Sequence, residues 1–552
     1  MDNERTWLNT YPRPQLKRDS FITLNGLWKC NGMDIIIPFS PQAKASHYEG
    51  EISDELIYEK TFLLSDDVLK SENRVLLQFG AVDQICEIYL NKYYVGKHIG
   101  GYLPFTFDIS LFVKKENHLT IIVQDQLNTL YPYGKQTKQP KGMWYKAVSG
   151  IWQTVWLESV PENYIKDIKI TPHEHSLDLY VDTSLKYKVT IPLKEKVYEK
   201  TFYKKHITID LSDYDLNYWT VKNPYLYQIF IETKNDKVES YFAMRFISIE
   251  EINNKKRICL NHQPIFLHSV LDQGYFPMGH FIPQSPEGYI QDITSMKELG
   301  FNTLRKHIKI EPDLFYYYCD KLGMLVIQDM VNSGDYHFLK DTLLPNIGFQ
   351  HKKDILHYEK PREQFFKQHC LETINTLHNH PSIIIYTIFN EGWGQFNSDA
   401  LYNILKNKDD TRLYDSTSGW FKQHNSDFES IHMYFRNKCL KTKENKVLLL
   451  SECGGYVREI EGHKNTLKSY GYGKAKNEQQ LMKKINKLYH VSVIDSIKEG
   501  LCGCVYTQLS DIEDELNGLY TFDRKVCKVN KKKMLEIKKY IDEVFKKECN
   551  IF

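Results

Sequence analysis

Along the first part of the chain, apolar residues alternate with polar ones or gather in short runs. Leu56–Leu63, Arg74–Phe79, Glu87–Leu90, Leu119–Gln124 and Gln153–Leu157 read as strands set between polar turns. Asn91-Lys-Tyr-Tyr-Val-Gly96 reads as a turn between two such strands. No long amphipathic helix interrupts them, so residues 1–160 are expected to form an all-β sandwich. Short strands continue over residues 161–250: Ile165–Thr171, Leu177–Asp182, Tyr187–Ile191, His206–Asp210, Tyr225–Thr233 and Glu239–Arg245. Their size and spacing fit a small immunoglobulin-like β-sandwich.

Over residues 251–552 the pattern changes, and apolar strands alternate with helical segments. Ile265–Val270 is followed by helix Pro286–Leu299, Phe301–Arg305 by helix Pro312–Leu322, and Leu325–Gln328 by helix Pro361–His378. Strand Ile383–Phe389, helix Asp399–Lys408, strand Val447–Glu452 and strand Cys502–Gln508 complete the series. This alternation predicts a (β/α)8 TIM barrel, in which functional groups sit at the C-terminal ends of strands. The Lys-rich segment 525–547 reads as a solvated face of a terminal helix.

Composition agrees with a multidomain globular chain. Its 552 residues are 42% hydrophobic and 26% charged, too many for one ordinary domain. A net charge of +2 gives no electrostatic footprint for nucleic acid or anionic lipid. No run of 18 apolar residues and no secretory leader are visible, so no membrane partner is expected. The eleven cysteines are scattered, several inside apolar runs, which points to free thiols and a cytoplasmic location. A homo-oligomer is compatible with these properties.

Two strand ends carry the chemistry. Ile383–Phe389 runs into Asn390-Glu391-Gly-Trp393-Gly, and Leu448–Leu450 runs into Ser451-Glu452-Cys-Gly-Gly. Burying two acids at one barrel mouth is costly unless they are used. Two facing carboxyl groups are the apparatus of glycosidic bond hydrolysis. His378-Asn-His380 invites a metal reading, but side chains leaving a helix end diverge and no third ligand accompanies them. No metal and no cofactor are expected.

Several motifs, taken in order, resemble glycoside hydrolase family 2, which contains β-galactosidases, β-glucuronidases and β-mannosidases. Arg13-Pro14 with Leu24-Asn25-Gly26-Leu-Trp28 is similar to the family's opening segment. Phe79-Gly80-Ala-Val-Asp83, Gly100-Gly101-Tyr-Leu-Pro104-Phe105 and Ser149-Gly150-Ile151-Trp152-Gln153 resemble its sugar-binding jelly roll. His380-Pro381-Ser382-Ile383 through Glu391 resembles its acid/base signature, and Ser451-Glu452-Cys-Gly454 its nucleophile strand. The resemblance implies a jelly roll, an immunoglobulin-like sandwich and a barrel. It also implies a retaining exo-β-glycosidase, with galactose as the first glycone to test and a carbohydrate as the partner.

By the same resemblance, Glu391 is the acid/base and Glu452 the nucleophile. Asn390 holds the sugar 2-hydroxyl, Arg305 keeps Glu452 ionised and Tyr434 hydrogen-bonds it. His432, in the Tyr434 segment, is expected at the substrate. His307 lies two residues after Arg305, where the family has its histidine three residues on. His268 and Asp272 are expected to end the first barrel strand and face the sugar. Trp393 is either a sugar platform or a strand cap, and Asp329 either reaches the cleft or caps the next helix. The segment Glu513-Asp514-Glu515-Leu516-Asn517-Gly518 lacks the lysine with which β-glucuronidases hold a uronic acid, and its charge repels one. Tyr506-Thr-Gln508 stands where many members have a tryptophan. Within the class the alternative glycones are glucuronic acid, mannose or an arabinose-type pentose, and a catalytically silent carbohydrate-binding protein is the alternative from another class.

Overall fold

The computed structural model describes residues 6–550 except 71, 347–348, 350–353, 355–359, 443, 465 and 467. The jelly roll packs a four-stranded sheet against a six-stranded one. The first has the order Phe21–Thr23, Val155–Pro161, Asn73–Phe79, Phe105–Asp108. The second runs Met33–Ile37, Gly26–Cys30, Glu55–Leu63, Glu116–Gln124, Ile85–Leu90, Tyr93–Ile99. Alternation is the cause: Leu56, Tyr58 and Phe62 turn inward from one strand and meet Leu119, Ile121 and Val123 of its neighbour. The turn expected over residues 91–96 is tighter than that. Only Asn91 and Lys92 take left-handed φ, 53° and 74°, and Tyr93 already begins the edge strand.

The immunoglobulin-like sandwich has a three-stranded sheet (Ile168–Pro172, Ser176–Val181, His206–Asp210). Its other sheet is four-stranded (Val197–Phe202, Tyr187–Pro192, Tyr227–Glu232, Lys237–Phe242). Val197–Phe202 was hidden in the sequence because it is an exposed edge with three polar residues, Glu199, Lys200 and Thr201, in succession. Arg18 ties the two sandwiches together. It is buried between Glu158 of the first, at 3.0 Å, and Asp236 of the second, at 3.1 Å.

The barrel strands are β1 (Leu267–Asp272), β2 (Thr303–Lys306), β3 (Leu325–Asp329), β4 (Ile383–Asn390), β5 (Leu413–Ser418), β6 (Phe428–Met433), β7 (Val447–Gly454) and β8 (Leu501–Thr507). They pair in parallel in the order β5-β4-β3-β2-β1-β8-β7-β6. Asp427 N–H donates to the Tyr414 carbonyl (3.0 Å), which draws β6 against β5. The bottom is closed by the hairpin Ile247–Ile252/Lys255–Leu260, whose Ile258 and Leu260 pack on Leu267, Leu325 and Val447. The helices lie within a few residues of expectation: Glu287–Glu298, Asp313–Leu322, Lys360–Leu377 and Ser398–Lys408. The last helix, Lys531–Glu548, buries Met534, Ile537, Ile541 and Phe545 and leaves most of its lysines in solvent. Among the described residues no helix is long and apolar enough to cross a membrane. All eleven cysteines are free.

Candidate active site

The C-terminal end of β4 turns sharply. Glu391 has φ 53°, Gly392 76° and Gly394 65°. A side chain at Gly392 would run into the Phe421 ring, and one at Gly394 into the Ser333 carbonyl oxygen, so both positions require glycine. Glu391 itself pays about 1–3 kcal/mol for its left-handed backbone. Its N–H donates to the Ser418 carbonyl at 2.9 Å, anchoring the turn to β5. The strand pairs β6/β7 and β7/β8 shift register near Ile431/His432 and Leu450/Cys453, placing Glu452 directly beside His432. Such irregularities re-aim side chains at the rims of barrels.

The two glutamates consequently meet over the mouth. Glu391, Glu452 and His432 each bring one oxygen or nitrogen to within 4.8 Å of the others. His432 Nδ1 hydrogen-bonds Glu391 Oε1 at 2.8 Å and lies 3.6 Å from Glu452 Oε2. Its Nε2 hydrogen-bonds Ser418 Oγ at 2.8 Å. The trio has a spacing that could hold a metal ion, a grouping from three separate strand ends that no local motif announces. His378 and His380 do diverge. His380 pairs with Asp320 at 2.7 Å, while His378 hydrogen-bonds Thr171 at 3.0 Å.

Arg305, 1% exposed, organises the floor. Its Nε donates to both Asp329 oxygens (3.0 and 3.1 Å), Nη1 to Glu452 Oε1 (3.0 Å) and the Ser451 carbonyl (2.9 Å), and Nη2 to Asn390 Oδ1 (2.9 Å). The Asn390 Nδ2 is then the atom left to donate to a ligand. Asp329 therefore belongs to the site. It also hydrogen-bonds His307 Nδ1 at 2.6 Å. The Tyr434 hydroxyl donates to Glu452 Oε2, and its ring stacks on Tyr472 at 3.7 Å.

Burial alone would raise the Glu452 pKa. The attraction of His432, Arg305 and His307 and the Tyr434 hydroxyl outweigh it, and the carboxyl is held down at about 2. Burial lowers His307 to about 4 despite Asp329, so that imidazole is neutral at pH 7 and Arg305 supplies the lasting charge. Glu452 is thus an ionised, anchored carboxylate.

His268 and Asp272 are not in the site. β1 starts two residues later than expected, which puts His268 near its base with its side chain directed at the helices. There it hydrogen-bonds the Gly300 carbonyl (2.9 Å) and the Tyr489 hydroxyl (2.8 Å) and stacks on Phe301. Asp272 lies on the same outer face. Lys306 Nζ takes up its carboxylate at 2.6 Å and continues to Glu311 at 2.8 Å. Tyr506 likewise packs outward, among core residues, while Gln508 sits beside Glu515 and Asn517.

Trp393 forms a wall rather than a free platform. It is 2% exposed and packs with Met143 and Trp144 of the jelly roll and Ile308, Tyr336 and Tyr470 of the barrel. The jelly-roll loop is clamped there by the acidic segment. Lys146 N–H donates to Glu513 (2.8 Å), Gly142 N–H to Asp514 (3.3 Å), and the Tyr145 hydroxyl to Glu515. Two of the three acids expected to repel a uronic acid are therefore occupied by backbone amides, and only Glu515 bears on the cleft wall. Sequence reasoning missed Lys135, Trp144 and Tyr145 of this loop. The available signal was a long segment without strand periodicity inside a compact domain, a mark of functional loops.

Comparison with known proteins gives a consistent result. Residues 251–487 match the model for the TIM barrel domain of glycosyl hydrolases family 2, and residues 17–161 match that family's sugar binding domain. A β-galactosidase from Thermoanaerobacterium thermosulfurigenes is 26% identical over 520 residues, 86% of this chain and 66% of its own. One from Thermoanaerobacter pseudethanolicus is 23% identical over 464 residues, 79% of this chain and 58% of its own. The chain spans about one to two thirds of the length of these and similar curated relatives. A solved β-D-glucuronidase from Dictyoglomus thermophilum superposes with a TM-score of 0.74 at 18% identity, covering 97% of this chain and 98% of that one. A β-glucuronidase from Ruminococcus gnavus gives 0.73 at 18% identity, with 98% and 100% covered.

Proposed function

The chain belongs to glycoside hydrolase family 2, and from that premise we propose that it is a retaining exo-β-glycosidase acting on a neutral terminal sugar, with β-galactosides first. The observation that carries this reading is the approach of Glu391 and Glu452 to within 4.8 Å. Retention needs carboxyl groups about 5–5.5 Å apart, whereas inversion needs about 6.5–9.5 Å to admit a water.

In this mechanism Glu391 is protonated and gives its proton to the leaving oxygen. Glu452 attacks the anomeric carbon and forms a glycosyl ester. Its charge is lost in that step, which lets Glu391 take a proton from water for the second displacement. Asn390, fixed by Arg305, donates its Nδ2 to the 2-hydroxyl. His432 holds Glu391 beside the nucleophile. The name of the curated relatives supports galactose. The acid Glu515 at the cleft wall, and the absence of lysine from residues 513–518, favour a neutral glycone over the glucuronic acid of the structural neighbours. Free cysteines throughout support a reducing compartment.

A panel of nitrophenyl β-glycosides tests the reading. Wild type is expected to turn over at least one, and Glu452→Gln none. A 2-deoxy-2-fluoro glycoside is expected to label the peptide containing Glu452. Activity surviving in Glu452→Gln would remove that residue as nucleophile, and absence of turnover by wild type would favour a binding protein.

A further inference from the structure

Lys135 belongs to the jelly roll, yet its amine lies in the wall of the barrel mouth. The residue is 8% exposed, and Nζ is 5.4 Å from the Trp393 ring centroid and 5.5 Å from that of Tyr145. Its charge reaches His307, where it adds to the effect of burial in keeping that imidazole neutral. Gly134 fixes the approach. With φ 74°, a Cβ there would crowd the Tyr102 hydroxyl (2.6 Å) and the Ile308 carbonyl oxygen (3.1 Å), so the loop seats directly on the segment after β2. Among the described residues the Lys135 amine has no ion pair and no hydrogen bond. The residue is buried along its stem while the amine atom keeps an opening to solvent, so its N–H groups, which the aromatic faces do not satisfy, are available to a ligand.

A complementary acceptor belongs to the same network. Gln508 follows β8, and its Nε2 donates to Asn517 Oδ1 (2.8 Å) and Glu515 Oε2 (3.3 Å). Its Oε1 is buried and receives no donor, and the Trp393 indole N–H is buried without an acceptor. Glu515 also accepts from Tyr145, whose ring faces Lys135, so one network links the two sides. Buried polar groups without partners are rare in folded proteins and call for an explanation. A hydroxyl meets both needs, since its oxygen accepts and its proton donates. A carboxylate offers acceptors only, and would also face Glu515.

We propose that Lys135 is a glycone-binding residue contributed by the jelly roll, donating to a hydroxyl oxygen of a neutral sugar while Gln508 Oε1 accepts from a hydroxyl of the same sugar. The proposal rests on the glycosidase reading above. Lys135 determines specificity and has no part in the covalent step, so its loss appears mainly in KM and in ground-state affinity.

The test compares wild type with Lys135→Met and Gln508→Leu. Nitrophenyl β-galactoside, β-glucoside, β-mannoside and β-glucuronide serve as substrates, and the S-ethyl thioglycosides of the same sugars serve as titration ligands. A charged hydrogen bond is worth about 1.5–3 kcal/mol, so Lys135→Met is expected to lose about 10- to 150-fold in kcat/KM and in thioglycoside affinity for the preferred neutral sugar. Circular dichroism checks that the fold is kept, and Lys135→Gln replaces the methionine variant if it does not fold. Affinity and kcat/KM within twofold of wild type would overturn the proposal, as would a loss confined to the glucuronide. If wild type turns over no glycoside, the glycosidase reading fails, and the thioglycoside titrations still decide the role of Lys135.

Discussion

Tyr434→Phe isolates one interaction in the site. The ring of Tyr434 stacks on Tyr472 at 3.7 Å, and phenylalanine preserves that contact. What disappears is the hydroxyl, which donates to Glu452 Oε2 and lies 3.2 Å from Thr507 Oγ1. In the proposed mechanism this bond is weakest when Glu452 is an ester and strengthens as the carboxylate departs in the second displacement. A hydrogen bond to a charged acceptor is worth about 1.5–3 kcal/mol, which corresponds to a deglycosylation step slower by about 10- to 150-fold. The same bond helps hold the Glu452 pKa at about 2. At about 1.4 kcal/mol per pKa unit, its removal is expected to raise the acid limb of kcat/KM by about one to two units. The assay is stopped-flow release of nitrophenol: a burst followed by a slow steady state marks limiting deglycosylation, and the pH profile locates the acid limb. A variant with kcat within twofold of wild type and an unmoved acid limb would show that Tyr434 serves only to pack against Tyr472.

Other expectations follow from the same geometry. Glu391→Gly removes the proposed acid and should cost about 10²- to 10⁴-fold on nitrophenyl substrates, with azide restoring turnover and giving a β-glycosyl azide by NMR; an α-product would contradict retention. Zinc should inhibit competitively by binding Glu391, His432 and Glu452, and EDTA should reverse it; inhibition insensitive to substrate concentration would place the metal elsewhere. Arg18→Met leaves Asp236 buried without its cation, while Glu158 keeps Arg13 at 3.3 Å, and should destabilise the protein by about 3–5 kcal/mol in urea unfolding; a change below about 1 kcal/mol would remove Arg18 as the tie between the sandwiches. His380 is raised to about 9 because Asp320 outweighs burial, against about 6.5 unfolded. Its stabilisation, about 3 kcal/mol, is fully present below pH 6.5 and lost as pH rises through about 9. The fall in Tm across that interval should be smaller in His380→Gln, and an equal fall would exclude the His380–Asp320 pair as its source.

Much of the barrel was legible because its strands are buried on both sides and read as unbroken apolar runs. β5 and β6 were not, since Leu413-Tyr-Asp-Ser-Thr-Ser418 and Phe428-Glu-Ser-Ile-His-Met433 turn polar groups into the barrel where no apolar run can announce them. The strand ends at Glu391 and Glu452 could be found from local sequence, as both follow apolar runs and precede glycines. His268 and Asp272 could not be placed, because a strand boundary set two residues early changes the height a side chain takes in the barrel, and a strand that is apolar on both sides does not announce which face is turned to the helices. Lys135 was invisible for a different reason. Its position depends on the loop clamped between Tyr145 and Glu515, 370 residues apart, and neither segment carries a periodic signal.

That clamp also sets a timetable. A chain made from its N-terminus completes the jelly roll long before Glu513, Asp514 and Glu515 emerge. Until then Met143, Trp144 and Tyr145 lack the barrel surface that buries them, and the young protein displays a sticky aromatic tip to its surroundings. The cleft is therefore among the last features to form. Chaperones holding the nascent chain would find their grip on this aromatic loop, and they would lose it as the acidic segment after the final barrel strand docks.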